Sequence, residues 1–307
     1  MPITTTQLSP QIGLEVHGLD LEREFDEETR RALQDAWSRG GVLLFRGCRS
    51  ADAHLRLSRG FGELESSATP DLNIDNSPYL MELKYDPGRA GAATMMRVNG
   101  VERAGWLGWH WDQSFVPAIV RGAVLRMIEP ATIAGETGFI DGIAAWERLP
   151  AQLQERIDGL EVVYHFTPQM EKNPFGFPAD LVNLKTDPES IAALAKYDFP
   201  PVVHPLVITH PDTGRKVLKL SPLHAKRVLG MDGAQSDALL HELADHLVDE
   251  RYAYFHTWNK DDVLVWDNWR MIHSAAGVPL DVRRRAQRTT LLGDYGHGRY
   301  LDPALTR

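Results

Sequence analysis

The sequence predicts a mostly β protein, with helices flanking a sandwich- or barrel-like core. Short apolar runs of β type outnumber the helical runs, and they lack the regular strand–helix alternation of a parallel α/β fold. No internal repeat, low-complexity tract or Pro- or Gly/Ser-rich linker divides the 307 residues, so 1–307 reads as a single domain. At this length about three quarters of the extended-chain surface can be buried on folding, enough for a full core without disulfides.

In chain order, the first element is a helix over 26–39. Leu33, Ala36 and Trp37 fall at helical spacing, Asp26 serves as N-cap and Gly40-Gly41 as the stop. An apolar strand over 42–47 follows, then a helix over 53–61. Further β-type runs cover 79–83, 119–128, 137–141, 160–165, 202–209, 216–220, 252–258, 262–266 and 285–292. Helical runs interrupt them at 142–149, 151–159 and 235–248. Two stretches fit neither pattern: 84–108, rich in Gly, Ala and Arg, and 167–201, which mixes Pro, Asn, Lys and Asp. Loops of that length either cover a functional site or decorate the surface, and both stretches are candidate lids.

A formal net charge of −9 argues against a nucleic-acid partner, which calls for a basic surface. Cys48 is the single cysteine, excluding an internal disulfide and any cysteine-based zinc site. Met1-Pro2-Ile3-Thr4-Thr5-Thr6 has neither the basic nor the apolar segment of a signal peptide. No apolar run approaches the roughly 20 residues of a membrane helix. The expectation is a cytoplasmic protein with no membrane partner.

Twelve histidines are present. His241 and His246 lie five apart, not the four that a zinc-protease helix requires, so they read as an exposed helix face. His204, His210, His224 and His256 lack a partner at coordinating spacing. Trp109-His110-Trp111-Asp112 differs. On a strand, residues i and i+2 point to one side, and an imidazole and a carboxylate can then converge on one metal ion. A third histidine would complete the 2-His-1-carboxylate face of non-haem Fe(II) oxygenases. Alone the pair occurs by chance, but 262–273 runs from a strand into a turn and presents His273 near its end. In the basic strand 283–290, alternation puts Arg284 and Arg288 on one face with Ala286 and Thr290. That strand is either a solvated face or a grip on two anions.

These residues resemble the taurine/2,4-dichlorophenoxyacetate dioxygenase family (TauD/TfdA) over nearly the whole chain. The likeness runs through Gly13-Leu-Glu-Val-His-Gly-Leu-Asp-Leu, Leu43-Leu-Phe-Arg-Gly47 and Phe61-Gly-Glu-Leu64. It continues in Trp109-His-Trp-Asp-Gln-Ser-Phe115, Gly135-Glu-Thr-Gly138, Asp141-Gly-Ile-Ala-Ala-Trp146, Trp258-Asn259 and Val265-Trp-Asp-Asn268 with His273. The resemblance implies a double-stranded β-helix (jelly roll) and an Fe(II)- and 2-oxoglutarate-dependent dioxygenase that consumes O2 and releases succinate and CO2. It implies His110, Asp112 and His273 as metal ligands. Thr137, 27 residues after His110, and Arg284, 11 after His273, fall at its 2-oxoglutarate positions. Arg288, 15 after His273, falls at the substrate-anion position. The alternative for Arg288 is neutralisation of an acid such as Asp294.

The family's taurine-type His-x-His-Pro stretch is replaced by Glu65-Ser66-Ser67-Ala68-Thr69-Pro70, which argues against taurine itself. Trp109 and Trp111 are expected to face away from the metal as core. Trp106 and Trp269 are candidates for an apolar substrate pocket, and Arg270 for a further anion contact. The expected substrate is a small organic anion, hydroxylated with or without C–O, C–S or C–N cleavage, on a homo-oligomeric enzyme. A biosynthetic hydroxylation or desaturation, or a non-catalytic metabolite sensor, is the alternative. A halogenase is disfavoured because Asp112 is retained.

Overall fold

The computed structural model describes residues 3–66, 74, 77–88, 94–167, 169–186 and 199–305. Two β-sheets form the centre. A seven-stranded sheet runs in the spatial order Thr4–Gln7, Leu14–His17, Val42–Phe45, Val263–Asp267, Gly122–Glu129, Arg284–Leu291, Met81–Tyr85. A four-stranded sheet orders Tyr254–His256, Thr137–Asp141, Met271–Ala275, Leu107–His110. Every pairing among these strands is antiparallel except that of Leu14–His17 with Val42–Phe45. The sheets share one apolar layer: Leu44, Leu125, Met127, Leu264 and Trp266 from the first pack with Phe139 and Met271 from the second. Alternation supplies this inward face from each strand.

The helix expected over 26–39 forms as Glu27–Gly40. The Asp26 carboxylate accepts from the Thr29 N–H, and the chain leaves the helix at Gly41 with φ +66°, a left-handed stop that suits glycine. Its buried stripe, Leu33, Ala36 and Trp37, covers the outer face of the large sheet at Leu43, Phe45, Val263 and Val265. Cys48 lies in the same cluster, fully buried, and burial pushes its thiol up to about 11. Helix Gly233–Leu247 packs Leu239, Leu240, Leu243 and Leu247 into a second core with Ile140, Val162 and Ile272. Among the described residues no helix is long and apolar enough to cross a membrane.

The two unassigned stretches come together. Strands Met95–Val98 and Val101–Ala104 form a hairpin, and Val182–Lys185 adds to its edge as a third antiparallel strand. Asp180 ties the joint, its carboxylate accepting from the N–H groups of Asn99 (3.0 Å) and Gly100 (2.7 Å). Met96, Val98, Met170 and Leu223 close a small core beneath. The stretches pair with each other across some 80 residues of sequence, a non-local contact that composition does not announce. Residues 89–93, 168 and 187–198 of these stretches lie outside the described residues, as do Ser67 to Pro70.

Arg270 does not serve the expected anion contact. It sits in the turn 268–270, which carries the chain from the large sheet to the small one. Its guanidinium makes a two-point pair with Asp141 (Nε–Oδ1 2.9 Å, Nη2–Oδ2 2.6 Å) and donates to the Ser38 carbonyl (2.8 Å). Asp141 in turn caps the helix Gly142–Arg148, accepting from the Ile143 N–H. Both partners are buried. Trp269 is likewise taken up by the scaffold: its indole donates to the Ile119 carbonyl (3.0 Å), and the Arg121 guanidinium lies 4.6 Å over its ring. The expected pocket roles of Arg270 and Trp269 are corrected accordingly. Removing one partner of a buried pair strands the other charge, at a cost of about 3–5 kcal/mol. Arg270→Ala should lower the denaturant-measured unfolding free energy by that order; a loss below about 1 kcal/mol would contradict the structural role.

Candidate metal centre

His110 ends the strand Leu107–His110, and His273 stands in the middle of Met271–Ala275. The two strands pair so that His273 lies opposite His110, and opposed residues on an antiparallel pair face the same side. Their ring centroids are 4.1 Å apart. The segment runs from a strand into a turn as its sequence predicts, Val263–Asp267 followed by the turn 268–270, and His273 then lies in the next strand, which belongs to the other sheet.

Asp112 reaches the histidines by another route than the pleat. The strand stops at His110, and the following backbone is held by Asn268. The Asn268 amide accepts from the Asp112 N–H (2.7 Å), and its NH2 donates to the carbonyls of Asp112 (3.1 Å) and Val120 (3.1 Å). Both backbone groups of the carboxylate-bearing residue are thus fixed by one fully buried side chain. Asp112 Oδ1 then lies 3.9 Å from His110 Nε2 and 3.7 Å from His273 Nε2. The three potential ligand atoms fall within 4.8 Å of one another.

The electrostatics suit a divalent cation. The ring Nδ1–H of His110 donates to the Gly108 carbonyl (2.8 Å), which leaves Nε2 as the lone-pair nitrogen. Burial holds both imidazoles below their ordinary range and so in the neutral, ligating form. Burial opposes ionisation of Asp112, but the adjacent Arg288 guanidinium offsets it and holds the carboxyl well below the usual range. Arg288 contributes most, with Nη2 2.6 Å from Asp112 Oδ2. A neutral pair of imidazoles with an ionised carboxylate, all buried and converging, is a donor set that fits a first-row divalent metal with open positions.

Arg284 and Thr137 lie to one side. Arg284 lines a cavity of about 260 Å3 with Gly135, Ala275, Gly277 and Val278. Among the described residues no carboxylate pairs with it, and burial alone lowers its guanidinium to about 10. Thr137 is buried opposite Ala275 in the sheet, and its hydroxyl oxygen accepts from the Trp258 indole (3.1 Å), leaving the hydroxyl proton to be donated. Arg288 faces Asp112 and also carries a buried Nε–H without a partner among the described residues. Trp106 falls elsewhere. It lines a separate cavity of about 470 Å3 with Trp109, Phe177, Phe255 and Ser274. Trp109 and Ser274 alternate with the two histidines and so belong to the opposite face of the small sheet. Trp106 is therefore not brought to the triad, whose aromatic surroundings are Trp266 (4.9 Å from the His273 ring) and Phe139 (6.3 Å, stacked).

Sequence reasoning passed over three residues here. Asn268 stood in a quoted motif without a role. Glu65 and Gln113 were passed over as well, although Gln113 adjoins Asp112; the Gln113 amide donates to Glu65 Oε2 (2.7 Å), and nothing in the spacing joins them. Of the histidines set aside, His210 pairs with Asp267 (2.9 Å). It also forms a second cluster of potential ligand atoms with Asp212 and Asp267. The Arg121 guanidinium pairs with both carboxylates, which makes that cluster an ion-pair network.

The family model described as "Taurine catabolism dioxygenase TauD, TfdA family" matches residues 4–290. The chain is 27% identical to the alpha-ketoglutarate-dependent 2,4-dichlorophenoxyacetate dioxygenase of Cupriavidus pinatubonensis, over 96% of this chain and 99% of that one. It is 29% identical to the alpha-ketoglutarate-dependent sulfate ester dioxygenase of Pseudomonas putida, over 97% and 91% of the two chains. A crystal structure of a taurine dioxygenase from Burkholderia xenovorans superposes with a TM-score of 0.74 at 26% identity, covering 99% of this chain and 98% of that one.

The Asn268 clamp generates a test independent of turnover. Partners that orient metal ligands are worth about 10–100-fold in metal affinity. Asn268→Ala should weaken Mn(II) binding by that factor in a calorimetric titration of the folded variant; unchanged affinity would remove Asn268 from a positioning role.

Proposed function

The chain belongs to the TauD/TfdA family and is a 2-oxoglutarate-dependent dioxygenase, an oxidoreductase, and from that premise we propose that it uses Fe(II), held by His110, Asp112 and His273, to hydroxylate a small organic anion. The observation that carries the reading is the convergence of three buried donor atoms, with a buried arginine, paired with no carboxylate among the described residues, lining a cavity that Leu107 and Ala275 of the ligand-bearing strands also line. We read the two facing sheets as a double-stranded β-helix, with the three-stranded sheet of residues 95–104 and 182–185 as its cover.

When bound, the iron and cosubstrate supply the oxidising chemistry, in which 2-oxoglutarate and O2 become succinate and CO2 as the substrate C–H is hydroxylated. The protein's own contribution is placement. Arg284 offers the planar two-point donor that matches the distal carboxylate of 2-oxoglutarate, and Thr137 adds a hydroxyl donor. A buried cation without a counter-ion is costly, so an arriving carboxylate restores the charge balance that the fold withholds. Arg288, with a spare buried Nε–H, takes the substrate anion and holds the reacting carbon near the metal. The small anionic substrates named for the relatives, phenoxyacetates and sulfate esters, support this substrate class.

Activity should require Fe(II), be lost with chelator and return with Fe(II) but not Zn(II). Asp112→Ala should abolish succinate formation; full turnover by that variant would overturn the assignment. A charge-assisted contact is worth about 1.5–3 kcal/mol, so Arg284→Ala should raise the apparent 2-oxoglutarate requirement by roughly tenfold to a hundredfold. Arg288→Ala should spare substrate-independent 2-oxoglutarate turnover while substrate-stimulated turnover falls. If the two variants exchange these phenotypes, the two arginines exchange roles.

A further inference from the structure

Lys219 follows the strand Lys216–Leu218 and is enclosed behind the ligand-bearing stretch 110–112, with only 1% of its surface exposed. Lysine is almost never buried to that degree without a paired charge. Among the described residues no carboxylate forms an ion pair with it. Its Nζ instead donates to the Asn268 carbonyl (2.6 Å) and lies 4.2 Å from the centre of the Trp111 ring. Burial pushes the amino group down to about 7, although Asp267 and Asp112 act to raise it; Arg121 adds to the fall.

Both contacts fall on residues that place the carboxylate ligand. Trp111 stands between His110 and Asp112, and its ring packs edge-on against Tyr164 (5.3 Å) and His204 (5.2 Å). Asn268 fixes both backbone groups of Asp112 through its amide. Two residues beyond Lys219, Ser221 Oγ accepts from the Trp111 N–H (3.3 Å). The loop 219–221 therefore braces the ligand stretch and its clamp together. It is itself held from behind: the Lys219 N–H donates to the Leu206 carbonyl (2.8 Å), and its carbonyl accepts from the Tyr164 hydroxyl (3.2 Å). An apolar side chain would fill the same space without the cost of burying an amino group, which loses its water when charged and its proton when neutral. What the lysine adds is one directed hydrogen bond to the turn 268–270.

From this arrangement we propose that Lys219 is a positioning residue of the metal centre. By tying the Asn268 carbonyl to the face of Trp111, it keeps the Asn268 amide on the Asp112 backbone and so sets where the carboxylate ligand stands. Lys219 makes no ion pair with a ligand and does not line the cavity of Arg284. Its influence on the centre passes through Asn268. The proposal rests on the metal-centre reading and adds to it a residue that the reading itself does not use.

The test is a double-mutant cycle read by metal affinity rather than by turnover. Mn(II) is titrated calorimetrically into the wild type, Lys219→Met, Asn268→Ala and the double variant. Methionine keeps the length of the side chain and removes the donor. Partners that orient metal ligands are worth about 10–100-fold in affinity, so Lys219→Met, acting one step further out, should weaken Mn(II) binding by about tenfold. In the Asn268→Ala background the same substitution should change affinity by less than about twofold, because no amide remains to be positioned. A second readout needs no second variant: at saturating Co(II), the visible absorption bands of Lys219→Met should shift from those of the wild type, since the carboxylate ligand is displaced. A loss under about threefold in Lys219→Met overturns the proposal, as do unshifted Co(II) bands. So does a loss that stays above about threefold in the Asn268→Ala background, which would mean that Lys219 acts by another route. Where Lys219→Met does not fold, Lys219→Gln is read in its place; if neither folds, Lys219 serves the core and the proposal falls. Failure of the underlying reading looks different: Mn(II) would then bind the wild type no better than Asp112→Ala, before any change at Lys219.

Discussion

Asp112 carries its negative charge where water scarcely reaches, and a carboxylate left alone there would take up a proton rather than stay ionised. Its neighbours prevent that, and their placement explains much of the fold's centre. Arg288 is delivered by the long strand of one sheet, the two histidines by adjacent strands of the other, and the backbone of Asp112 itself is gripped by a turn that links the sheets. The charge can be accommodated only while both sheets keep their separation. The apolar alternation of the strands serves the same end, because slipping one strand by a residue against its neighbour would turn every side chain of that strand to the wrong face.

Local rules recovered the scaffold well. The helix start at Asp26 and its stop at Gly41 follow from capping chemistry that acts over three or four residues. The strand over 137–141 is read from its apolar run and forms over those same residues. The triad residues were also legible, because a short run containing His110 and Asp112, a later histidine and a basic strand lie at separations that can be counted. Alternation alone puts Arg284 and Arg288 on one face of their strand; Arg288 pairs with Asp112, and Arg284 lines a cavity.

What escaped are contacts between residues far apart in sequence whose types have many ordinary uses. Arg270 beside His273 looked like an anion contact because proximity along the chain was mistaken for proximity in space; Asp141, 129 positions earlier, claims it. Trp106 and Trp269 were grouped with the ligands for the same reason. In the hairpin over 95–104 only Met96, Val98 and Ala104 are buried, too short a pattern to stand out, and its partner strand Val182–Lys185 is mostly exposed. Edge pairings of that kind are fixed by register and by the Asp180 anchor, neither of which leaves a periodic signature.

The buried thiol of Cys48 has a practical corollary. Reagents that alkylate or oxidise cysteine attack the thiolate, and a group pushed up to about 11 inside an apolar cluster offers almost none to solvent. Modification must wait for the apolar cluster that encloses it to open. Because this is the chain's single cysteine, the labelling rate becomes a clock for that one opening event, read without any introduced probe. The clock sits in a different core cluster from Trp266 and Phe139, which border the triad. Breathing of the amino-terminal layer can thus be timed separately from events at the metal centre.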